Sequence, residues 1–452
     1  MDQGTKAYLI QIRTHSTYTK RIMRVVVWIA LLAGFGLNPA RAALSVERIS
    51  SNDFNNRQPS ISDDGRYIAY TTGEQVILYD SETRTETAIA PGVQPVVSGN
   101  GRYVAFTSRD ALLPIDTNTF EDVYFFSIGA VISESLELIS VSSYDEVGNN
   151  ISIWPAVSAD GRFVAFESWA SNLSSSDTNG GASDIFLRDR TLGQTRLVSL
   201  IDGNGSAGNT YSRGPSISAD GRYVAFKSWA DNLVLDDQND TADIFLRDTV
   251  MSNTRRVSVA MDGGDPDGAS GTPVVSGDGR YVAFSSLAAN LVISDTNSQL
   301  DVFLYDITAG QTILVSANGA GNPGDAASGC NDEHYPERCL GISFAGRFVS
   351  FPSRATDLGE GTSLGAQNVF LFESLSGQTS LVSTDSNGNE VAWDSTASNL
   401  SKDGSYLVFE SYANLVGDDL KQDWDIFLLD RFAVWLDASQ LFLPMTVSFS
   451  RR

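Results

Sequence analysis

Four stretches of this chain place Asp, Asn and Asp at nearly constant spacing. They are Asp116, Asn118 and Asp122; Asp177, Asn179 and Asp184; Asp237, Asn239 and Asp243; and Asp295, Asn297 and Asp301. Side-chain oxygens at alternate positions of a loop can converge on one hard cation, and calcium gathers about six to eight of them. The same residue types have a second chemistry. Asp-Thr-Asn forms Asx-turns, and an Asp at a strand entry accepts backbone N–H bonds. Both readings stay open: calcium ligands, or turn and strand-entry residues. Two related stretches depart from the pattern. One has Asp419 and Asp425 with Lys421 in place of the Asn, and the other has Thr362, Leu364 and Asn368. On the calcium reading the four complete stretches bind and the Lys421 stretch is weakened. The short motif lacks the bidentate Glu that closes an EF-hand loop.

Other reactive residues are sparse. Cys330 and Cys339 are the two cysteines, within C-N-D-E-H-Y-P-E-R-C. So close a pair predicts a disulfide in an exported chain. Zinc with His334 is the rival, and it lacks a fourth ligand for a tetrahedral site. Gly361-Thr362-Ser363-Leu364-Gly365 matches G-x-S-x-G. It stands in a loop, whereas a nucleophile elbow joins a strand to a helix. Paired carboxylates can hydrolyse glycosides, and this acidic chain offers too many to select a pair. Trp169 and Trp229 occupy matching places, in E-S-W-A-S-N-L and K-S-W-A-D-N-L. They suit packing between units or a stacking platform for a sugar.

These residues hang on a repeat. S-D-D-G-R-Y-I-A-Y begins at Ser62, and related phrases begin at Ser98, Ser158, Ser218, Ser276, Ser343 and Ser401. The turn glycines Gly65, Gly101, Gly161, Gly221, Gly279, Gly346 and Gly404 are spaced 36, 60, 60, 58, 67 and 58 residues apart. Asp-Gly is a hairpin turn signal, and the alternation after it predicts a strand. A later D-I-F-L-R-D strand and a T-R-R-V-S strand complete four antiparallel strands per repeat. That is one blade of a β-propeller. Seven turns predict an all-β, seven-bladed propeller over residues 43–436, with a tail at 437–452 of no predicted structure. Ser45-Val46-Glu47-Arg48-Ile49-Ser50 resembles the fourth strands, while the last repeat lacks one. The N-terminal segment is therefore expected to pair with residues 425–430 and close the ring.

The repeats resemble TolB-type propeller repeats of exported bacterial proteins, on the S-x-D-G-R-x-[IV]-A-F core and the [DN]-[IV]-[FY]-x-x-[DE] strand. The likeness spans about residues 45–430 and implies a propeller outside the cytoplasm. TolB itself carries an α/β domain before six blades, so its role with envelope lipoproteins does not carry over. TolB-like lyases that degrade pectate use a histidine-rich metal site, and this chain beyond its leader holds only His334.

The leader supports export. Lys20, Arg21 and Arg24 precede the apolar run Val25–Leu37, and Ala40-Arg41-Ala42 offers a cleavage site, which defines residues 1–42 as a signal peptide. Residues 1–42 hold Lys6, Arg13, Lys20, Arg21, Arg24 and Arg41 against Asp2, so the remainder has 25 Lys+Arg, 54 Asp+Glu and a net charge of −29. Such a field repels nucleic acid and anionic membranes. The expected protein is a periplasmic or secreted monomer with no membrane span after cleavage. Its expected role is a non-enzymatic binding or scaffold module for a protein or glycan ligand, stabilised by calcium on the long-loop face. The alternative is a carbohydrate-active enzyme, a glycoside hydrolase or lyase, using loop carboxylates.

Overall fold

Each S-x-D-G-R phrase builds its own turn. In blade three the Ser158 hydroxyl donates to Asp160 Oδ1 at 2.8 Å and accepts from the Phe163 N–H at 2.9 Å. The Arg162 N–H donates to the same Asp160 oxygen at 2.9 Å. Gly161 completes the bend at φ +75°, a left-handed conformation that favours glycine. Arg162 then folds back to Asp189, at the end of the third strand, at 2.7 Å. Arg66–Asp80, Arg222–Asp248, Arg280–Asp306 and Arg347–Glu373 repeat this clasp.

The computed structural model describes residues 45–431 apart from 52–54, 130–134, 204, 331–337, 360–361, 363 and 418–421. The expected leader and tail, His334, Asp419 and Lys421 lie outside the described residues. Seven four-stranded antiparallel sheets form the seven expected blades. The first strands are Asn56–Ile61, Val93–Val97, Ser152–Val157, Ser212–Ile217, Ser270–Val275, Gly341–Ile342 and Ser395–Leu400. They neighbour one another around the ring and so line its channel.

Within a blade, alternation aims one aromatic from each middle strand at the preceding blade. Phe166 faces Phe186, Phe226 faces Phe245 and Phe284 faces Phe303, with ring centroids 5.8, 6.0 and 5.8 Å apart. Burial of such side chains supplies the main stabilisation, at about 1.5–3 kcal/mol each.

Between blades the repeat interlocks with itself. The face of Gly161 packs on the Tyr103 ring of blade two, Gly221 on Phe163 of blade three and Gly279 on Tyr223 of blade four. The pattern continues through Gly346 on Tyr281 and Gly404 on Phe348, and it closes with Gly65 on Tyr406 and Gly101 on Tyr67. The glycine and the aromatic of the phrase are thus two halves of one joint.

Closure follows the sequence reading. Ser45–Arg48 pairs antiparallel with Asp425–Asp430, with Ser45 opposite Asp430 and Arg48 opposite Phe427. This adds the missing outer strand to blade seven. The Ile49 N–H continues the ladder to Ile426 O at 2.9 Å. The Ser50 hydroxyl donates to the buried Asp425 Oδ1 at 2.5 Å. Cys330 and Cys339 form the expected disulfide, with Cα atoms 6.2 Å apart. A loop this short is worth about 2–3 kcal/mol on the chain-entropy account.

Candidate functional site

The channel wall carries a feature that the repeat phrase does not announce. Register shifts interrupt the first strands between Arg57 and Ser60, Val93 and Val96, Ile153 and Ala156, Arg213 and Ser216, and Gly271 and Val274. At each bulge one residue takes positive φ: Gln58 at 60°, Gln94 at 58°, Trp154 at 55°, Gly214 at 59° and Thr272 at 44°. A proline follows every one, as Pro59, Pro95, Pro155, Pro215 and Pro273. A non-glycine residue held there costs about 1–3 kcal/mol, and such strain gathers at functional sites.

The neighbouring blade holds the strain in place. The Gln58 N–H donates to Glu410 Oε2 at 2.8 Å, and the Gln94 N–H donates to Gln58 Oε1 at 2.9 Å. The Trp154 N–H donates to Gln94 Oε1 at 3.1 Å, and the Gly214 N–H to Glu167 Oε2 at 3.2 Å. A relay of side-chain acceptors therefore runs blade to blade around the channel.

Two adjoining cavities occupy this channel. One, of about 200 Å³, is lined by Trp154, Arg213, Lys227, Thr272, Arg338 and Asn399. The other, of about 220 Å³, shares Trp154, Arg338 and Asn399 and adds Arg57, Gln94 and Glu410. Most of the cations here are paired or stacked. Arg57 bonds Glu410 at 2.8 Å and lies 4.3 Å over Trp424. Arg213 faces Glu167 at 3.5 Å and stands 5.5 and 5.6 Å from the Trp169 and Trp229 rings. Lys227 lies 4.5 Å over Trp229. The two tryptophans thus stack on cations at the cavity edge.

Arg338 differs. It reaches from blade six across the channel, donates to Pro155 O and stands 6.0 Å from the Trp154 ring. Burial pushes its guanidinium down to about 10, which leaves it charged at neutral pH. No carboxylate among the described residues pairs with it.

Glu167 is the counterpart acid. Burial pushes its carboxyl up to about 7, against the opposing Gly214 N–H and Arg213. Burial likewise raises Asp243 to about 7 and Asp122 to about 6. An acid raised on folding binds its proton more tightly in the native state. Its cost is absent below the unfolded pKa and complete above the folded one. Melting temperature measured in chelator is therefore expected to fall from pH 5 to pH 8 across these raised values. A melting temperature that rises over that interval would show these carboxylates ionised without penalty.

The four Asp-x-Asn loops lie elsewhere, between second and third strands. In each the later Asp opens the third strand and accepts a serine hydroxyl from the segment after the fourth. Ser140 meets Asp122 at 2.6 Å, Ser199 meets Asp184 at 2.6 Å, Ser258 meets Asp243 at 2.6 Å and Ser316 meets Asp301 at 2.5 Å. The Asn amide ties the loop to the next crossing, from Asn118 to Gly148 O at 3.1 Å and from Asn179 to Gly208 O at 2.9 Å. Asn239 reaches Pro266 O at 3.1 Å and Asn297 reaches Gly324 O at 2.8 Å. These contacts give the Asn and the later Asp of each loop, eight of the twelve residues, structural duties. Among the described residues no three His, Cys, Asp or Glu side chains converge as a ready metal site.

The sequence reading located these loops and missed the channel. The Xaa-Pro pair three residues before the repeat serine was its visible trace. Arg338 left a trace as well, since it stands five residues before the repeat serine Ser343, as Arg57 does before Ser62 and Arg213 before Ser218.

No family model matches the chain, and no curated protein matches it. Solved structures do. The chain is similar to the β-propeller domain of the Trilobed protease from Pyrococcus furiosus, with 10% identity, a TM-score of 0.52, and coverage of 84% of this chain and 96% of that one. That propeller is described as having an open velcro topology, whereas here Ser45–Arg48 closes the ring. A putative TolB from Agrobacterium tumefaciens shares 16% identity over 59% of this chain and 82% of that one, at a TM-score of 0.40. TolB from Acinetobacter baumannii shares 14% over 73% of this chain and 67% of that one, at 0.39. Identities this low speak to fold and not to activity. The chain is a seven-bladed β-propeller closed by its own N-terminal strand.

Proposed function

We propose that the protein is an exported binding module that takes a small carboxylate-bearing ligand in its central channel. The observation that carries this reading is Arg338, a half-buried residue whose desolvated guanidinium faces a cavity of about 200 Å³ with no carboxylate partner among the described residues. A buried charge is costly unless it is paired, and guanidinium matches a carboxylate in a two-bond fork. Lys227 and Arg213 line the same cavity and add to its positive field. Trp154 offers an apolar face beside the charge. The volume suits a small acid or the acidic end of a longer ligand, because pockets for drug-sized molecules run from roughly 300 Å³ upward. The disulfide supports export, since such bonds persist in oxidising compartments.

The test uses acetate, succinate and galacturonate as probes in thermal-shift titrations of wild type and Arg338→Met. At least one acid is expected to raise the wild-type melting temperature saturably, and the variant is expected to lose that response. Without probe the variant should be as stable as wild type or more so, by up to about 2 kcal/mol, because an unpaired buried charge has been removed. Equal responses in the two proteins, or no response in either, would overturn the reading.

A further inference from the structure

The four Asp-x-Asn loops share a fold and differ in what faces their carboxylates. In blade four Arg256 enters the loop from the fourth strand. Its Nη1 lies 3.4 Å from Asp237 Oδ1, 3.7 Å from Asp243 Oδ2 and in contact with Asp265. Arg256 is nearly fully buried, so this is an internal positive charge set between two buried acids. In blade two the compensation is a hydroxyl: Tyr124 donates to Asp116 Oδ2.

Blades three and five have neither device. At the place of Arg256, opposite the central third-strand aromatic, stand Leu197 and Leu314. At the place of Tyr124 stand Phe186 and Phe303. Oxygens of the kind that Arg256 and Tyr124 engage elsewhere are left bare on both Asp residues of blade five and on the first Asp of blade three. In blade five Asp295 Oδ1 and Asp301 Oδ2 are buried with no hydrogen-bond partner, and the two residues are 7% and 0% exposed. Asn297 stays near enough to favour ionised Asp301 without making a hydrogen bond of normal geometry. In blade three Asp177 Oδ1 and Asn179 Oδ1 are bare on half-buried side chains, while the Asn179 amide donates to Asp184 Oδ2 at 2.8 Å. Asp295 and Asp301 also repel one another, as do Asp177 and Asp184.

We infer that the blade-five loop and the blade-three loop each hold one calcium-type cation, at the point that the Arg256 guanidinium fills in blade four. Two neighbouring buried carboxylates without a counter-charge are among the costliest arrangements in a protein. A hard divalent cation relieves that cost with the ligands such ions prefer, carboxylate and carboxamide oxygens. The loop side chains are too few to complete the shell, so backbone carbonyls and water fill the rest. Blades two and four keep the same loop shape with a built-in hydroxyl or guanidinium, which makes them metal-independent versions of one design.

Exchange of the fourth-strand residue tests the inference on the full chain. Calcium is titrated calorimetrically into chelator-treated protein in moderate salt, with magnesium as control. Two equivalents are expected in wild type, with calcium raising the melting temperature. Leu314→Arg should bind one equivalent, because the guanidinium takes the cation's place. Arg256→Leu should bind three, and it should be destabilised in chelator and rescued by calcium. Asp301→Asn is the near-isosteric companion and should also lose one equivalent while keeping its Ser316 contact. No saturable binding in wild type, or a stoichiometry that Leu314→Arg and Asp301→Asn leave unchanged, overturns the assignment. A melting temperature that responds only to acid would show instead that protons satisfy these oxygens.

Discussion

Removal of residues 45–50 is expected to destabilise the propeller by about 5 kcal/mol or more, read as the midpoint of denaturant unfolding. The sum comes from named contacts. Ile49 is 4% exposed and packs with Ile426, Leu428 and Tyr70 in the core between blades seven and one. Loss of such a side chain costs about 2–5 kcal/mol. The Ser50 hydroxyl and Arg48 both bond the buried Asp425, at 2.5 and 3.3 Å. Hydrogen bonds to a charged group contribute about 1.5–3 kcal/mol each. Removing them also leaves a buried carboxyl, raised by that burial, to the Asn56 amide across the seam. The strand Asp425–Asp430 becomes an open edge, a template for pairing with another molecule. Self-association of the truncated protein is the second expected sign. Ile49→Ala alone should recover about half of the loss. A deletion variant within about 1 kcal/mol of wild type would show that closure adds little, as ring neighbours alone then hold blade seven.

That closure was legible because the N-terminal segment copies a fourth strand that the last repeat lacks. Blade number was legible for a related reason: each S-x-D-G-R phrase needs its glycine and its aromatic for one joint, so neither can drift. The chemistry was less legible. Asp116 and Asp295 stand in nearly identical local sequence, yet one meets Tyr124 and the other keeps a bare Oδ1. The deciding residues sit on other strands, where spacing within the loop says nothing about them. Arg256 did leave a trace, as an Arg where Leu197, Leu314 and Leu381 stand in sister blades. The strained bulges were hidden by their regularity, since Xaa-Pro before a strand looks like ordinary strand punctuation. Arg338 holds in blade six the place of Arg57 and Arg213, and only the closed ring brings it opposite Pro155.

Gly161→Ala is expected to cost about 2–5 kcal/mol, a large effect for one methyl group. Two terms combine. The first is backbone: φ is +75°, where an L-residue loses about 1–2 kcal/mol. The second is contact: a Cβ on Gly161 would overlap the Tyr103 ring of blade two. That ring cannot swing away, because Phe125 holds it at 4.9 Å between centroids and Arg190 lies 5.3 Å over it. Forcing a methyl into a packed site costs a further 1–3 kcal/mol or so. Gly73→Ala separates the two terms. Its φ is +60°, and no atom lies within 4 Å of the added carbon, so it should show the backbone term alone. A Tyr103→Ala background separates them again. With the ring gone, Gly161→Ala should fall to the Gly73→Ala value, giving a coupling of at least about 1 kcal/mol between the two sites. Equal costs for Gly161→Ala in both backgrounds would show that the turn and not the joint requires the glycine. Coupling would locate ring stability in seven glycine–aromatic contacts, each made by one repeat upon the next.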